Sequence, residues 1–488
     1  MSTNENFKSA AINGTVWKLI ERVLAQSISL VVSIILARIL LPSDYAVVSI
    51  VTIFFLFANV IISGGLNTAL IQKKDADQED YDSVFTLSLI ISIAIYIILF
   101  FAAPIISYLY RQPLLIPIIR VMSLSLPIYA CKSIVCAYIY SKLQFKKFFL
   151  ATIGGTIVSA IVGIAMAVNG FGAWSLVAQQ LSNTVIDTII LFAVTKIKLR
   201  FRMSTSKIRI LFKYGWKIFL SSLIAQIYNQ VNPLFIGLRF SSNDLSFYTK
   251  GRSFPDTLSS SISNTMSSVL FPVLAKCQDD KVRILNGTRR FMKLASFCVF
   301  PTMLGLFAIS DTFVQVLLTS KWAEASYYIK IFSIVYMFDV IAIGNCETIK
   351  AIGRSDIYLK MEIIKKTGYF IVLGLFIALS NSPRVLVLSV MVNIVIQIIV
   401  NGFPNIKLLG YSVKMQILDL APNLASSILM CLVVYFIGFI NLNGVLKLIV
   451  QIFSGIVVYL VIVVISKNES VKFFVDYIKN KNSVNEAK

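Results

Sequence analysis

The chain has 488 residues, of which 57% are hydrophobic and 14% charged, and its mean hydropathy is +0.82. A soluble globular chain is about 45–50% apolar and about 25% charged, so most of the excess apolar sequence must face lipid or other membrane helices. The net charge of +22 invites a nucleic-acid reading, but the basic residues sit in short connections between apolar stretches, and no nucleic-acid partner is expected.

A membrane helix needs about 20 mainly apolar residues. The first apolar run continues to Leu41 with no clear small-residue cleavage site, so it reads as a retained helix. In chain order, about fourteen spans are expected. They lie near 15–38, 44–70, 83–109, 113–139, 148–168, 172–195, 211–237, 250–275, 288–310, 324–350, 356–380, 384–404, 416–440 and 444–466. Pro and Gly punctuate them at Pro42, Pro113, Gly170, Gly172, Pro383 and Gly444, as expected of helix ends and turns. Pro233 is placed to break or kink the seventh.

The cations alternate between connections. With a cytoplasmic N-terminus, the even-numbered connections hold Lys73 and Lys74, Lys142, Lys146 and Lys147, six cations from Lys196 to Arg209, Lys276, Lys281 and Arg283, Arg354, Lys407 and Lys414. The odd-numbered ones hold only Arg38, Arg111, Arg239, Lys321 and Arg384. Both termini are therefore expected in the cytoplasm.

The sequence also repeats. Trp17-Lys18, Ala25-Gln26, Arg38 and Asp44 recur as Trp216-Lys217, Ala225-Gln226, Arg239 and Asp244, and Ala69-Leu70 with Gln78 and Asp80 as Val269-Leu270 with Gln278 and Asp280. Both copies begin after an even number of spans, which makes them parallel repeats. The expected fold is an all-α polytopic membrane protein with an N-terminal lobe (1–195), a basic cytoplasmic linker (196–210), a C-terminal lobe (211–404), an extra helix pair (405–466) and a cytoplasmic tail (467–488).

There is no histidine, which removes the commonest general base and metal ligand. Cys131, Cys136, Cys277, Cys298, Cys346 and Cys431 form no C-x-x-C pair, so no metal, cofactor or disulfide framework is expected.

Ala37-Arg38-Ile39-Leu40-Leu41-Pro42-Ser43-Asp44-Tyr45 resembles the first hairpin of Wzx-type oligosaccharide flippases, of the superfamily that also holds multidrug exporters and the lipid II flippase. Gly65-Leu66-Asn67-Thr68-Ala69-Leu70-Ile71-Gln72-Lys73 and Phe247-Tyr248-Thr249-Lys250-Gly251-Arg252, leading to Val269-Leu270-Phe271-Pro272, are similar to the same family. Ala46 departs from it, standing where the family often has Gly. The resemblance spans both lobes and weakens after about residue 350. It implies a transporter, not an enzyme, that moves polyprenyl-pyrophosphate-linked oligosaccharide across a bacterial inner membrane for surface polysaccharide biosynthesis. Membrane lipids, a polysaccharide polymerase and assembly proteins are the implied partners.

That substrate needs cations for pyrophosphate and hydrogen-bonding groups for sugar. An ionisable residue at the centre of a span costs at least about 2.5–3.5 kcal/mol, so it usually faces an interior cavity. Thr15, Lys18, Arg22, Gln26, Ser29 and Ser33 share one face of the first span, with snorkelling as the alternative for Lys18 and Arg22. In the eighth, Arg252, Asp256, Ser259, Ser263 and Ser267 form a stripe that suits either a cavity or tight helix packing. Gln226, Asn229 and Gln230, with Ser222, form a face suited to sugar hydroxyls. Arg22, Arg120, Arg252, Lys18, Lys217 and Lys330 are the candidates for pyrophosphate, and Ser259 and Ser263 join the three amides for sugar. Asp187, Asp256, Asp339 and Glu347 are candidates for ion coupling, or structural partners of nearby cations. A multidrug or lipid II exporter, or a membrane polymerase or ligase, are the alternatives. The basic candidate faces disfavour a cation exporter, and the short external loops disfavour an enzyme.

Overall fold

The computed structural model describes residues 2–466, 468 and 469, apart from 74, 276, 278 and 279, and not the side chains of 2–16, 19, 264–269, 271–273, 275 and 355. Thr15, Ser267, the repeat markers Val269 and Gln278, Lys74, Lys276 and nearly all of the tail 467–488 therefore fall outside the described residues.

The chain is a multi-pass helical membrane protein. Its helices are α1 (Ser2–Ile39), α2 (Pro42–Ser63), α3 (Leu66–Gln72), α4 (Gln78–Tyr110), α5 (Leu115–Met122), α6 (Ser125–Ser141), α7 (Phe145–Val168), α8 (Ala173–Thr195), α9 (Thr205–Arg239), α10 (Ser242–Ala275), α11 (Lys281–Phe313), α12 (Ala325–Ala351), α13 (Ser355–Leu379), α14 (Pro383–Leu409), α15 (Val413–Ile437) and α16 (Gly444–Ile465). Among the described residues there is no strand, and 11 segments are long and apolar enough to span a membrane. Of the other long helices, α9 and α13 fall short because polar and charged residues dilute them, and α10 is not among the segments found in the described residues.

Local chemistry sets the boundaries. Pro42 and Pro383 sit in the first turns of α2 and α14, where a missing N–H costs nothing. Asp77 caps α4 by accepting from the Asp80 N–H at 2.9 Å, and the Asp77 N–H donates back to Asp80. Asp280 caps α11 by accepting from the Val282 and Arg283 N–H groups. The first hairpin recurs as geometry too: Leu41 N–H donates to Asp44 at 2.9 Å, and Ser241 N–H to Asp244 at 3.0 Å. The second expected span divides into α2 and α3 because Gly64 and Gly65 both take positive φ. Of the break or kink expected at Pro233, a break does not occur, since α9 runs through it.

The chain forms two compact units, Met1–Ser246 and Phe247–Lys488. In the first, α9 packs against α2, α3 and α4. It comes so close to α3 that a Cβ on Gly65 would lie 2.1 Å from the Gly215 carbonyl oxygen, a small-residue contact typical of membrane helices. The basic linker is laid along the start of α4. Gln78 donates to the Lys198 carbonyl, Arg200 N–H to Asp82, Ser204 N–H to Ser83, and Thr86 to the Arg202 carbonyl. Lys207 closes this strap on Asp77 at 2.5 Å. Asp82 and Ser83 are buried as a result.

In the second unit, α11 packs against α12, α15 and α16, and α12 against α14. Asp419 of α15 is buried and receives two 2.8 Å hydrogen bonds from Arg289 of α11, with the Tyr411 hydroxyl at 3.0 Å and Lys293 at 3.3 Å. This cluster ties the C-terminal helix pair to α11.

Candidate functional site

Inside the first unit is a cavity of about 410 Å³, within the ~300–1,000 Å³ of small-molecule sites. α1 gives it Ser29; α2 gives Thr52, Phe55 and Asn59; α6 gives Ser125 and Tyr129; α7 gives Thr156 and Ser159; α8 gives Gln179, Gln180, Asn183 and Thr184. The α8 residues share a face because they recur at i, i+3 and i+4. Several hydroxyls are already used: Thr184 donates to the Gln180 carbonyl, and Asn183 donates to Ser159, which donates to the Thr156 carbonyl. Asn59 Oδ1 is buried and accepts no hydrogen bond, a cost unless a water or ligand donates to it.

One turn beyond Asn183 on the same face, Asp187 meets Lys132 of α6 at 2.6 Å. The carboxylate occupies a notch that only glycine leaves, since a Cβ on Gly155 would lie 1.8 Å from its Oδ1. That oxygen is buried and accepts no hydrogen bond. Glu21 lies within electrostatic reach of Lys18, Arg22 and Asp187, so α1 adds its charges to this end of the polar column.

The other candidates of this unit lie as follows. The Lys18 ammonium rests over the rings of Tyr140 and Phe145, at 5.1 and 5.6 Å, beside the connection between α6 and α7. Arg22 is half-buried one turn further on. Arg120 lies over the Phe100 ring at 4.4 Å and donates to the Phe100 carbonyl at 3.4 Å. Pro104, inside α4, cannot supply the N–H that this carbonyl would otherwise accept, so Arg120 completes a helix that proline interrupts. Lys217 and Asn229 are exposed, Gln226 and Gln230 half-buried, and Gln226 Nε2 is buried with no acceptor.

In the second unit, Arg252 donates to the Tyr336 hydroxyl at 3.0 Å and lies over the Phe332 ring at 5.9 Å. Ser259 and Ser263 are buried; Ser259 donates to the Tyr336 carbonyl of α12 at 3.4 Å, whereas the Ser263 hydroxyl has no hydrogen-bond partner. Asp256 is exposed and within electrostatic reach of Asp339. Lys330 pairs with Asp311 at 2.6 Å, and Glu347 with Lys350 at 3.0 Å. A second cleft, of about 480 Å³ and almost wholly apolar, lies among α11, α15 and α16, with Pro301, Leu306, Met430, Val434, Ile452 and Tyr459 in its wall. Among the described residues, no group of three His, Cys, Asp or Glu is placed to hold a metal ion.

The structure thus brings Lys18, Arg22 and Asp187 to one polar column and places Arg120 elsewhere in the same unit. Sequence reasoning missed most of the cavity wall, Asn59, Ser125, Tyr129, Gln179, Gln180 and Asn183 above all. The α8 residues carry a readable signal, a run of amides at helical spacing within an apolar span.

The fold matches that of solved helical membrane transporters. The lipid II flippase MurJ, in its inward closed conformation, superposes with a TM-score of 0.76 at 17% identity, covering 96% of this chain and 100% of that one. An inward-facing multidrug resistance MATE family transporter of the MOP superfamily gives 0.61 at 14%, covering 81% and 99%. In sequence, residues 35–327 match the family described as polysaccharide biosynthesis protein, more than half of the chain, and the chain belongs to that family. It is similar to the succinoglycan biosynthesis transport protein ExoT of Rhizobium meliloti (strain 1021), at 24% identity over 310 residues. That alignment covers 63% of each chain, just under two thirds of the relative. The lipopolysaccharide biosynthesis protein WzxC of Escherichia coli (strain K12) is 22% identical over 367 residues, 74% of each chain.

Proposed function

We propose that the protein flips polyprenyl-pyrophosphate-linked oligosaccharide across the bacterial inner membrane, from the cytoplasmic to the periplasmic leaflet, for surface polysaccharide biosynthesis. In this reading both termini are cytoplasmic and two six-helix lobes, spans one to six and seven to twelve, alternate access to the polar head group.

The observation that carries the reading is the polar cavity within an otherwise apolar helical unit. A wall of amides and hydroxyls facing a cavity is costly in a membrane unless something polar occupies it. Its chemistry suits a hydroxyl-rich head group. Arg22 and Lys18, on the same helix as Ser29, are the cations proposed for the pyrophosphate, and Arg252 is proposed for it in the second unit. The apolar cleft by α15 and α16 suits a prenyl chain. The relatives named for succinoglycan transport and lipopolysaccharide biosynthesis support the substrate class.

Deletion of the gene tests this. The expected result is lipid-linked oligosaccharide accumulating on the cytoplasmic face with loss of surface polysaccharide, both restored by the wild-type chain. Unchanged surface polysaccharide, or accumulation of lipid II instead, would contradict it.

A further inference from the structure

We infer that the cavity of the first unit is a subsite for neutral sugar, built to admit a hydroxyl-bearing ring and to exclude a carboxylate-bearing one. The inference rests on the flippase reading and adds the chemical class of sugar that this site takes.

Among the described residues, the wall contains no Arg, Lys, Asp or Glu. Its polar groups are amides and hydroxyls, which both donate and accept, as sugar hydroxyls do. Phe55 and Tyr129 offer ring surface against which the C–H face of a pyranose can lie. The nearest charges in the column, Asp187 and Lys132, neutralise each other at 2.6 Å. A uronic acid entering this space would lose its hydration without meeting a counter-charge, and burying an unpaired charge costs far more than burying a hydrogen-bonded hydroxyl. The volume of about 410 Å³ suits one or two rings rather than a long chain.

Charge makes the inference testable with free sugars. The full-length protein in lipid nanodiscs is titrated with cellobiose, and with cellobiouronic acid, the same disaccharide carrying one carboxylate, using saturation-transfer NMR. Cellobiose is expected to bind at least about tenfold more tightly, the ratio given by two neutral hydrogen bonds or fewer. Asn183→Leu should weaken cellobiose about fivefold or more, and Gln180→Arg should reverse the preference. If Gln180→Arg does not give a monodisperse protein, the wild-type ratio and Ser125→Ala, which removes one hydroxyl, decide. Equal or tighter binding of the acid by wild type overturns the inference, as does cellobiose binding that survives Asn183→Leu unchanged. Either result leaves the flippase reading standing if the deletion strain still accumulates its lipid-linked oligosaccharide. Absence of that accumulation removes the flippase reading and leaves the binding ratio as measured.

Discussion

Removing one partner of the Lys132–Asp187 pair should cost far more than removing both. The Asp187 side chain is 5% exposed and the Lys132 side chain 24%, so the two single changes are unequal. Lys132→Met strands a buried carboxylate in the Gly155 notch, and breaking a buried pair in this way costs about 3–5 kcal/mol. Asp187→Leu strands a lysine whose stem can carry its head toward water, so about 1.5–3 kcal/mol is expected from the lost charged hydrogen bond. The double variant leaves no charge behind and should come within about 1 kcal/mol of wild type, because hydrophobic replacement of a whole buried pair is often near neutral. Gly155→Ala should act like Lys132→Met, since its Cβ would sit 1.8 Å from Oδ1 and the carboxylate must move off Lys132. Unfolding free energies of the four proteins in bicelles, obtained by steric trapping, give the cycle. Single effects that add to within about 0.5 kcal/mol would show the groups to be uncoupled and would refute the reasoning.

Three further outcomes follow from the same geometry. Arg120→Met should lower protein abundance by removing the donor to the Phe100 carbonyl, at about 1 kcal/mol, and Pro104→Ala should suppress the defect by restoring a backbone N–H; persistence of the defect in the double variant would contradict the structural role. Asp419→Ala should destabilise the fold by about 1.5–3 kcal/mol, because Arg289 and Lys293 lose a charged hydrogen-bonding partner while both can still reach water; thermal unfolding checks this, and partial recovery on adding Arg289→Met is expected. Asp82→Ala should free the linker and make cleavage after Lys198, Arg200 and Arg202 in inside-out vesicles roughly tenfold faster, a local-opening change of about 1.4 kcal/mol. The hydrogen bond from Lys207 chiefly, with the Asp80 N–H second, holds the Asp77 carboxyl near 2, below its ordinary 3.8. A lowered value adds stability above the ordinary value that is lost as pH falls through the folded one, so linker protection should stay constant from about pH 8 to 5 and fall only toward pH 2. Loss of protection near pH 5 would contradict the clamp.

Much of the fold was legible because membrane helices announce themselves by length and apolarity, and their ends by Pro, Gly and capping carboxylates. Asp44 and Asp244 marked the same turn in both repeats, and in the structure each carboxylate accepts the backbone N–H three residues earlier. What did not follow from the sequence was which unit α9 joins, since Gly215 meets Gly65 only through a contact between distant segments. The site was less legible for a related reason. Weighing cations first drew attention to Arg120, whose partner is a carbonyl freed by a proline 16 residues earlier in the chain, within another helix. It drew attention away from Asn59, Gln180 and Asn183, which cost little individually to place in a helix and acquire meaning only when α2 and α8 face one cavity. Ser259 shows the converse: the stripe was visible, but Tyr336 of α12 lies against this member of it.

The most direct test of transport is reconstitution. Purified protein is placed in vesicles with a fluorescent polyprenyl-pyrophosphate-linked oligosaccharide on both leaflets, and an impermeant glycosidase is added outside. With the wild-type protein, the inner-leaflet pool should become cleavable, at a rate reduced about tenfold or more by Asn183→Leu together with Arg22→Ala, the loss of one neutral and one charged contact. An inner pool that stays as protected as in protein-free vesicles, with the protein folded and inserted, would contradict the account.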